Sequence, residues 1–288
     1  MPCREPACFP GEQKERRSYA MVKAIVMGAG GKMGGRILTL IAAAEGIEVA
    51  GAVEVPGHPL IGADIGDALA LGRTGVVVSD TLDACIERGD VVIDFTHHDA
   101  AVTNARIAAE HEKAIVIGTT GLTSEETTEL ESLARKTRCV LAPNMSVGVN
   151  VMLKVLDSVA RILGDDYDVE IVEAHHNLKK DAPSGTAVKM AQCIAEALGR
   201  NLEEVGNYGR KGMIGARPKA EIGIQTVRAG DIVGEHTVMF GGMGERLEFI
   251  HRAHSRDNFA RGAIRAALWI MGQPNGIYDM QDVLGLKD

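Results

Sequence analysis

The chain has 288 residues, of which 45% are hydrophobic and 24% are charged, so it is long enough to bury a substantial core and to form two domains. Its formal net charge of -8 excludes a broad basic surface. This argues against nucleic-acid binding as the main role and requires any anionic ligand to be held by a local cluster of cations. No apolar run reaches the roughly 18 residues of a membrane-spanning helix, so no membrane partner is expected.

The first 20 residues are polar and rich in proline and charge, and they lack the apolar middle part of a signal peptide. We expect residues 1–20 to form a disordered tail. An alternative is that translation starts at Met21, directly before the first strand pattern. The five cysteines form no CxxC pair, which is typical of reduced thiols in a cytoplasmic protein. The plastid stroma is the alternative location if the source is a plant, although no transit peptide is visible.

From Val22 onward, short apolar runs alternate with longer amphipathic segments. Buried strands are predicted at VKAIVMGAG, IEVAGAVE, VVIDF, AIVIGTTG and CVLAPN, with helices between them at KMGGRILTLIAAAEG, DAAVTNARIAAEHE and SEETTELESLARKT. This alternation predicts an α/β fold with a Rossmann-like doubly wound parallel sheet. We assign residues 21–146 to this dinucleotide-binding domain.

The first strand-to-helix junction is rich in glycine. Gly28, Gly31 and Gly34 have the spacing GxxGxxG, whereas Met33 stands where the third glycine of GxGxxG would be. Glycines there allow a tight turn and let the backbone approach a pyrophosphate, while the helix N-terminus supplies free amides. A plain turn is the alternative interpretation, but the position after the first buried strand favours a dinucleotide site.

An acid ends the second predicted strand. Glu54 lies 20 residues after Gly34, where a carboxylate accepts hydrogen bonds from the adenosine ribose and repels a 2′-phosphate. Val55 follows it, rather than an arginine that could pair with that phosphate. The sequence therefore favours NADH over NADPH, although Lys32 or Arg36 could still supply a cation. Two later loops, residues 118–121 (GTTG) and 142–146 (APNMS), also follow strands and are expected near the nicotinamide.

The pattern changes after residue 146. Helices are predicted at VMLKVLDSVARIL and TAVKMAQCIAEALG, and strands at DVEIVEAHH, AEIGIQTVRAG, DIVGEHTVMFG and ERLEFIHRAHS. The last three have no helix between them, which predicts a second α+β domain with a mixed or antiparallel sheet, residues 147–254. The remaining residues 255–288 contain a long amphipathic helix that we expect to return to the first domain.

Residues 173–187 (EAHHNLKKDAPSGTA) concentrate groups that exchange protons and bind anions. Ser184, Gly185 and Thr186 open a helix whose amides can hold a carboxylate, and Lys179 can add a full positive charge. Taken singly, Ser184 could be only a helix cap and Lys179 only a solvated surface residue. Their density beside two histidines predicts an anion grip joined to a proton source.

Motifs along the chain resemble those of the dihydrodipicolinate reductase family, from about Val22 to the C-terminus. They are GAGGKMG, VVIDFT, GTTG, APNMSVGVN, EAHHNLKKDAPSGTA, RAGDIVGEHTVMF and GERLEFIHRAHSRDNFARGAIRAALW. The resemblance implies NAD(P)H-dependent reduction of 4-hydroxy-tetrahydrodipicolinate in lysine and diaminopimelate biosynthesis, with loss of water and hydride addition at C4. It also implies a homotetramer built through the sheet of the second domain, which would then bind substrate and oligomerise.

The same resemblance implies roles for individual residues. His175 is the expected proton donor or acceptor and Lys179 a second proton donor, while His176, Ser184, Gly185 and Thr186 hold a substrate carboxylate. The residues expected to contact the cofactor are Gly28, Gly31, Lys32, Met33, Gly34, Glu54, Gly118, Thr120, Ala142, Pro143, Asn144, Met145, Arg256 and Phe259. No metal is expected.

Some features depart from this pattern or suggest other functions. Val55 replaces an arginine common in the family, and His98 replaces a proline, which should loosen the loop's backbone. The pairs His97–His98 and His251–His254 are weak candidates for metal ligands. Another nicotinamide oxidoreductase, acting on a sugar or a small carbonyl compound, and a non-catalytic nucleotide sensor are the alternative functions. Neither explains both the carboxylate grip and the proton donors.

Overall fold

The chain forms two β-sheets, which a computed structural model describes over residues 21–287. The expectation for residues 1–20 lies outside this range. The strands of the first sheet are β1 (Val22–Met27), β2 (Ile47–Val53), β3 (Val78–Ser79), β4 (Val91–Asp94), β5 (Ala114–Ile117), β6 (Arg138–Leu141) and β12 (Gly276–Tyr278). They are parallel and lie in the order β12-β6-β5-β4-β1-β2-β3.

Helices cover both faces of the first sheet. The bounds are α1 (Gly34–Ile41), α2 (Ile65–Ala68), α3 (His98–Glu110), α4 (Ser124–Leu133) and α8 (Asp257–Ile270). One core contains α1 and α8 with one face of the sheet, and a second contains α3 and α4 with the other face. Because both faces are covered, β4 and β5 are buried throughout, as their continuous apolar sequences predict.

The second sheet is mixed. Its strands are β7 (Asp168–His175), β8 (Gly206–Asn207), β9 (Ile222–Arg228), β10 (Gly234–Gly241) and β11 (Arg246–Ala253), in the order β11-β10-β7-β9-β8. β7 pairs parallel with β9 and antiparallel with β10. The helices α5 (Val147–Leu163) and α6 (Gly185–Ala197) pack on one face of this sheet. The predicted fold class, a Rossmann-like sheet with a second α+β domain, is confirmed.

The chain beyond residue 256 adjoins the first sheet, because α8 packs against α1 and β12 pairs with β6. The short elements β3, β8, β12, α2, α7 (Leu202–Val205) and α9 (Met280–Leu284) escaped prediction, since each spans too few residues to show a hydrophobic period. α1 is also shorter than its sequence pattern indicates. Among residues 21–287, none of the helices combines the length and the apolar character that a membrane crossing requires.

Candidate active site

The turn after β1 has the backbone that a dinucleotide requires. Gly28 has a φ of 64°, a conformation that residues with side chains rarely adopt. A Cβ atom at Gly34 would lie 2.0 Å from the carbonyl oxygen of Gly28, so only glycine lets α1 begin this close to the turn. The free amides at the start of α1 therefore lie beside the carboxyl end of β1, where they can receive a pyrophosphate.

Glu54 is held beside this turn by two backbone amides. It follows β2 and is 8% exposed. Its Oε1 accepts a hydrogen bond from the Gly30 amide at 2.7 Å, and its Oε2 accepts one from the Val55 amide at 3.0 Å. A carboxylate oxygen has two acceptor positions, so one position on each oxygen remains for a ribose hydroxyl. The structure thus places Glu54 where its spacing from Gly34 predicts a ribose contact.

The remaining residues predicted to contact the cofactor lie in the turn, at the carboxyl edge of the first sheet, or at the start of α8. They are Gly31, Lys32 and Met33 in the turn, Gly118 and Thr120 after β5, Ala142, Pro143, Asn144 and Met145 after β6, and Arg256 and Phe259 at the start of α8. Arg36 of α1 forms two hydrogen bonds to Asp257 of α8, at 2.5 and 2.6 Å. Arg36 is therefore engaged with Asp257, whereas Lys32 in the turn is exposed.

The loop after β6 connects the two sheets. Asn144 Nδ2 donates a hydrogen bond to Thr186 Oγ1 at 2.9 Å, which joins a predicted cofactor residue to a predicted substrate residue. Ser146 caps α5 and its Oγ lies 3.4 Å from Nε2 of His251 on β11. The two halves of the site, more than thirty residues apart in sequence, therefore adjoin one another, and the region where they meet is called the cleft below.

His175 is the last residue of β7 and its side chain is 13% exposed. Its Nδ1 lies 2.6 Å from Oε2 of Glu173, which points to the same face because the two residues are two positions apart in a strand. Burial lowers the pKa of His175, Glu173 opposes this effect, and Lys179 and Arg228 lower the pKa further. A half-buried imidazole of this kind can exchange a proton with a ligand in the cleft.

The start of α6 presents groups suited to a carboxylate. Ser184 Oγ accepts a hydrogen bond from the Ala187 amide at 3.2 Å and lies 2.9 Å from Nε2 of His236. Gly185 is exposed, with open space where a Cβ atom would stand. Nδ1 of His176 is buried and has no hydrogen-bond partner within residues 21–287. Ser184, Gly185 and Thr186 thus lie together at the start of α6, and the predicted role of these residues and of His176 in holding a carboxylate stays a prediction.

Lys179 differs from the expected free cation. Its Nζ donates to both carboxylate oxygens of Asp181, at 2.9 and 2.7 Å. An ammonium group has three protons, so one is left for another acceptor. Asp181 has a side chain that is 64% exposed, which makes this pair weak and easy to exchange for a ligand carboxylate.

Four side chains of the cleft were not predicted from the sequence: Glu173, Arg228, His236 and His251. Burial, with His175 and His251 nearby, lowers the pKa of His236 to about 3, so this ring is neutral at physiological pH. His236 pairs across the sheet with both Glu173 and His251. The spacing of Glu173 two residues before His175 was a usable signal, but the pairing of β7, β10 and β11 is set by the tertiary structure alone.

The loop after β4 carries another group of histidines. Nδ1 of His98 lies 2.7 Å from Oε1 of Glu126 and 3.0 Å from Asp99, while Nδ1 of His97 lies 3.4 Å from Asp99. The side chains of His97, His98 and Asp99 are close enough to share a metal ion, but His97 and Asp99 are exposed and the geometry is that of ion pairs. His98 therefore ties the start of α3 to α4, an attachment that the sequence did not predict.

Comparison with known proteins agrees with this geometry. Residues 22–145 match the family described as Dihydrodipicolinate reductase, N-terminus, and residues 148–284 match Dihydrodipicolinate reductase, C-terminus. The 4-hydroxy-tetrahydrodipicolinate reductase of Syntrophus aciditrophicus (strain SB) is 62% identical over 267 residues, which is 93% of this chain and 100% of that protein. The enzyme of the same name from Citrifermentans bemidjiense is 57% identical, with the same coverage of each chain.

One solved structure is similar to this protein over almost the whole length of the solved chain. The dipicolinate-bound dihydrodipicolinate reductase from Paenisporosarcina sp. TG-14 has a TM-score of 0.70 and 27% identity, covering 91% of this chain and 98% of its own. The dinucleotide turn on one sheet and the histidine loop on the other make the protein an NAD(P)H-dependent oxidoreductase. Since the two matches together extend over most of the chain, it belongs to the dihydrodipicolinate reductase family. The predicted family and the prediction of an enzyme are confirmed.

Proposed function

We propose that the protein reduces 4-hydroxy-tetrahydrodipicolinate to tetrahydrodipicolinate with NADH or NADPH, in lysine and diaminopimelate biosynthesis. The observation that carries this proposal is the hydrogen bond of 2.9 Å between Asn144 and Thr186, because it holds the predicted nicotinamide loop against the predicted carboxylate grip. The names of the relatives support the same substrate. The cytoplasmic location stays a prediction.

The cleft suits a dicarboxylate. One carboxylate would be held by the start of α6, through the Ser184 hydroxyl, the Gly185 and Thr186 amides and the unpaired Nδ1 of His176. Lys179 would hold or protonate a second polar group with its remaining proton. A helix N-terminus and a lysine favour an anion over an uncharged sugar, because a sugar brings no negative charge to interact with them.

The nucleotide would be bound by the glycine turn and Glu54, with the loops after β5 and β6 beside the nicotinamide. After the 4-hydroxyl group has left as water, the substrate is a conjugated imine, and the reduced nicotinamide would supply the hydride that is added at its C4. This addition turns the imine into an electron-rich enamine anion, to which His175 donates a proton, and Lys179 assists as a second donor. The half-buried position of His175 keeps bulk water from competing for this transfer.

The cofactor preference tests both the reaction and the role of Glu54. We expect oxidation of NADH to exceed that of NADPH by about tenfold in kcat/KM, because about 1.4 kcal/mol of repulsion between the carboxylate and the 2′-phosphate suffices for such a ratio. Steady-state loss of nicotinamide absorbance, with the substrate generated in place by its upstream synthase, gives the ratio. If neither cofactor is oxidised although nucleotide still binds, the proposal is contradicted. The alternative functions, another nicotinamide oxidoreductase or a non-catalytic nucleotide sensor, would then be favoured.

A substitution at Val55 separates charge from shape in this preference. Val55 is 66% exposed, so Val55→Arg introduces a cation without disturbing the core. We expect Val55→Arg to raise kcat/KM with NADPH, whereas Val55→Gln, which lengthens the side chain without adding a charge, should not. An unchanged ratio in Val55→Arg would show that position 55 does not lie near the 2′-phosphate and would contradict this arrangement of the nucleotide site.

The second sheet supports the proposal of a homotetramer. One face of this sheet packs on α5 and α6, while the opposite face carries Val227 and Ile250, which are 41% and 46% exposed. Val172, Thr237 and Ile250 are register partners across β7, β10 and β11, so their side chains lie on the same face. A continuous β-surface of this kind can be covered by the same face of another copy.

Substitution of Ile250 tests this interface. We expect Ile250→Glu to shift the protein from a tetramer to a smaller species in light scattering, because a charge would be buried between copies. The matched control is Ile162→Glu on α5, since Ile162 is 82% exposed and outside the sheet. A tetramer that persists in Ile250→Glu, or a wild type of monomer mass, would contradict the assignment.

A further inference from the structure

Among the side chains of the cleft, Glu173 has the most hydrogen-bond partners. It has zero exposure, and its two oxygens accept five hydrogen bonds. A carboxylate with no contact to water costs several kcal/mol unless such partners compensate it. Neither the glycine turn nor the carboxylate grip explains why an acid stands at this position.

The two oxygens of Glu173 serve different parts of the site. Oε2 faces His175 Nδ1 at 2.6 Å and accepts from Arg228 Nη1 at 2.8 Å. Oε1 accepts from Arg228 Nη2 at 2.8 Å, from the Ser184 amide at 3.0 Å and from Thr226 Oγ1 at 3.2 Å. One carboxylate thus touches both the histidine ring and the first residue of the carboxylate grip.

Arg228 keeps this carboxylate ionised and fixed. Its guanidinium binds Glu173 through two nitrogens, the arrangement that gives the most rigid pairing. Nη2 also donates to the carbonyl oxygen of Asp181 at 2.7 Å, so the same side chain fixes the turn that leads into α6. Burial acts to raise the pKa of Glu173, but the hydrogen bonds from Arg228, His175 and Ser184 leave it below its ordinary value.

We propose that Glu173, held by Arg228, is the positioning residue that sets the tautomer and ring orientation of His175 and couples them to the start of α6. An ionised carboxylate only accepts hydrogen bonds, so it requires a proton on Nδ1 of His175. Nε2, which makes no hydrogen bond within the described part of the chain, is then the nitrogen that exchanges a proton with the ligand. This inference rests on the proposed role of His175 in proton transfer.

The charged and titratable groups that face His175 define the expected pH dependence. They are Glu173 on its own strand, Arg228 on β9, His236 on β10 and Lys179 in the loop that follows. Among the charged groups, Glu173 alone raises the pKa of His175, whereas Lys179 and Arg228 lower it. Loss of the Glu173 charge therefore lowers the pKa of His175. Because a general acid must carry its proton to act, activity that depends on His175 is then lost at a lower pH.

Glu173→Gln tests the proposal. We expect kcat to fall by about 100-fold, the alkaline limb of the kcat profile to move to lower pH, and KM to change much less. Nitrogen-15 NMR of the histidine side chains should show loss of the Nδ1–H tautomer at His175. The matched control is Thr226→Val, which removes one hydrogen bond to Oε1 of Glu173 and leaves Oε2 and His175 untouched. In this variant, the tautomer of His175 and the alkaline limb of the kcat profile should stay as in the wild type.

A second variant guards against misfolding of Glu173→Gln. Glu173→Asp keeps the negative charge that pairs with Arg228, but its side chain is one methylene shorter, so the carboxylate lies farther from His175. We expect kcat to fall by about tenfold and His175 to be present as a mixture of its two tautomers. A wild-type tautomer and alkaline limb in either variant, or an equal change in Thr226→Val, would overturn the proposal. The NMR measurement needs no turnover, so it tests Glu173 even if the wild type fails to reduce the dicarboxylate.

Discussion

His175→Gln is expected to lower kcat by about 10²- to 10⁴-fold while KM changes little, because glutamine keeps much of the polarity but cannot donate a proton in the transition state. The ring is half-buried against Glu173 and at the end of β7, so its replacement leaves the core of the second sheet intact. Steady-state kinetics with the dicarboxylate, together with nucleotide affinity measured by fluorescence, separate chemistry from binding.

The control for this substitution is His254→Gln. His254 follows β11 and is exposed, so the same chemical change there should leave kcat as it is in the wild type. An equal loss in kcat and in substrate affinity for His175→Gln would assign His175 to binding rather than proton transfer. An unchanged kcat would remove it from the mechanism and, with it, the reason for Glu173 to position it.

Lys179→Met is expected to lower kcat/KM by about 100-fold, since both a positive charge and a second proton donor are lost at the dicarboxylate. Methionine keeps the unbranched apolar stem of the side chain and removes only the ammonium end, so packing in the loop is largely preserved. The substitution also leaves Asp181 without its partner, but that carboxylate is exposed and water can replace the ammonium group.

Lys180→Met is the matched control, because Lys180 is the adjacent lysine and is exposed. It should retain wild-type kcat/KM with the dicarboxylate. Full activity of Lys179→Met would contradict the assignment of Lys179, and an equal loss in both variants would indicate only a general effect of charge. The two lysines are the same residue type, so we expect them to differ only because Lys179 faces the cleft and Lys180 does not.

The fold was largely predictable because its main signals are local. A strand buried on both faces needs a continuous apolar run, as in β4 and β5, and an amphipathic helix needs a repeating stripe, as in α8. Short edge strands such as β3 and β12 were missed because their pairing depends on neighbours distant in the chain. α1 is shorter than its pattern mainly at its C-terminal end, since it stops at Ile41, and Gly46 in the turn that follows has a φ of 81°, which no helix continues through.

The sequence by itself determined the family, the alternation of elements, and the candidate site residues that follow a local motif or a fixed spacing, namely the glycine turn with Glu54 and the segment from His175 to Thr186. Each of these depends on chemistry within a few residues or on a fixed spacing. Only the tertiary structure decided which groups surround His175. Arg228 and His236 reach it by strand pairing across the second sheet, and Asn144 reaches Thr186 across the cleft. Such contacts are fixed by packing between distant segments, which no local pattern encodes.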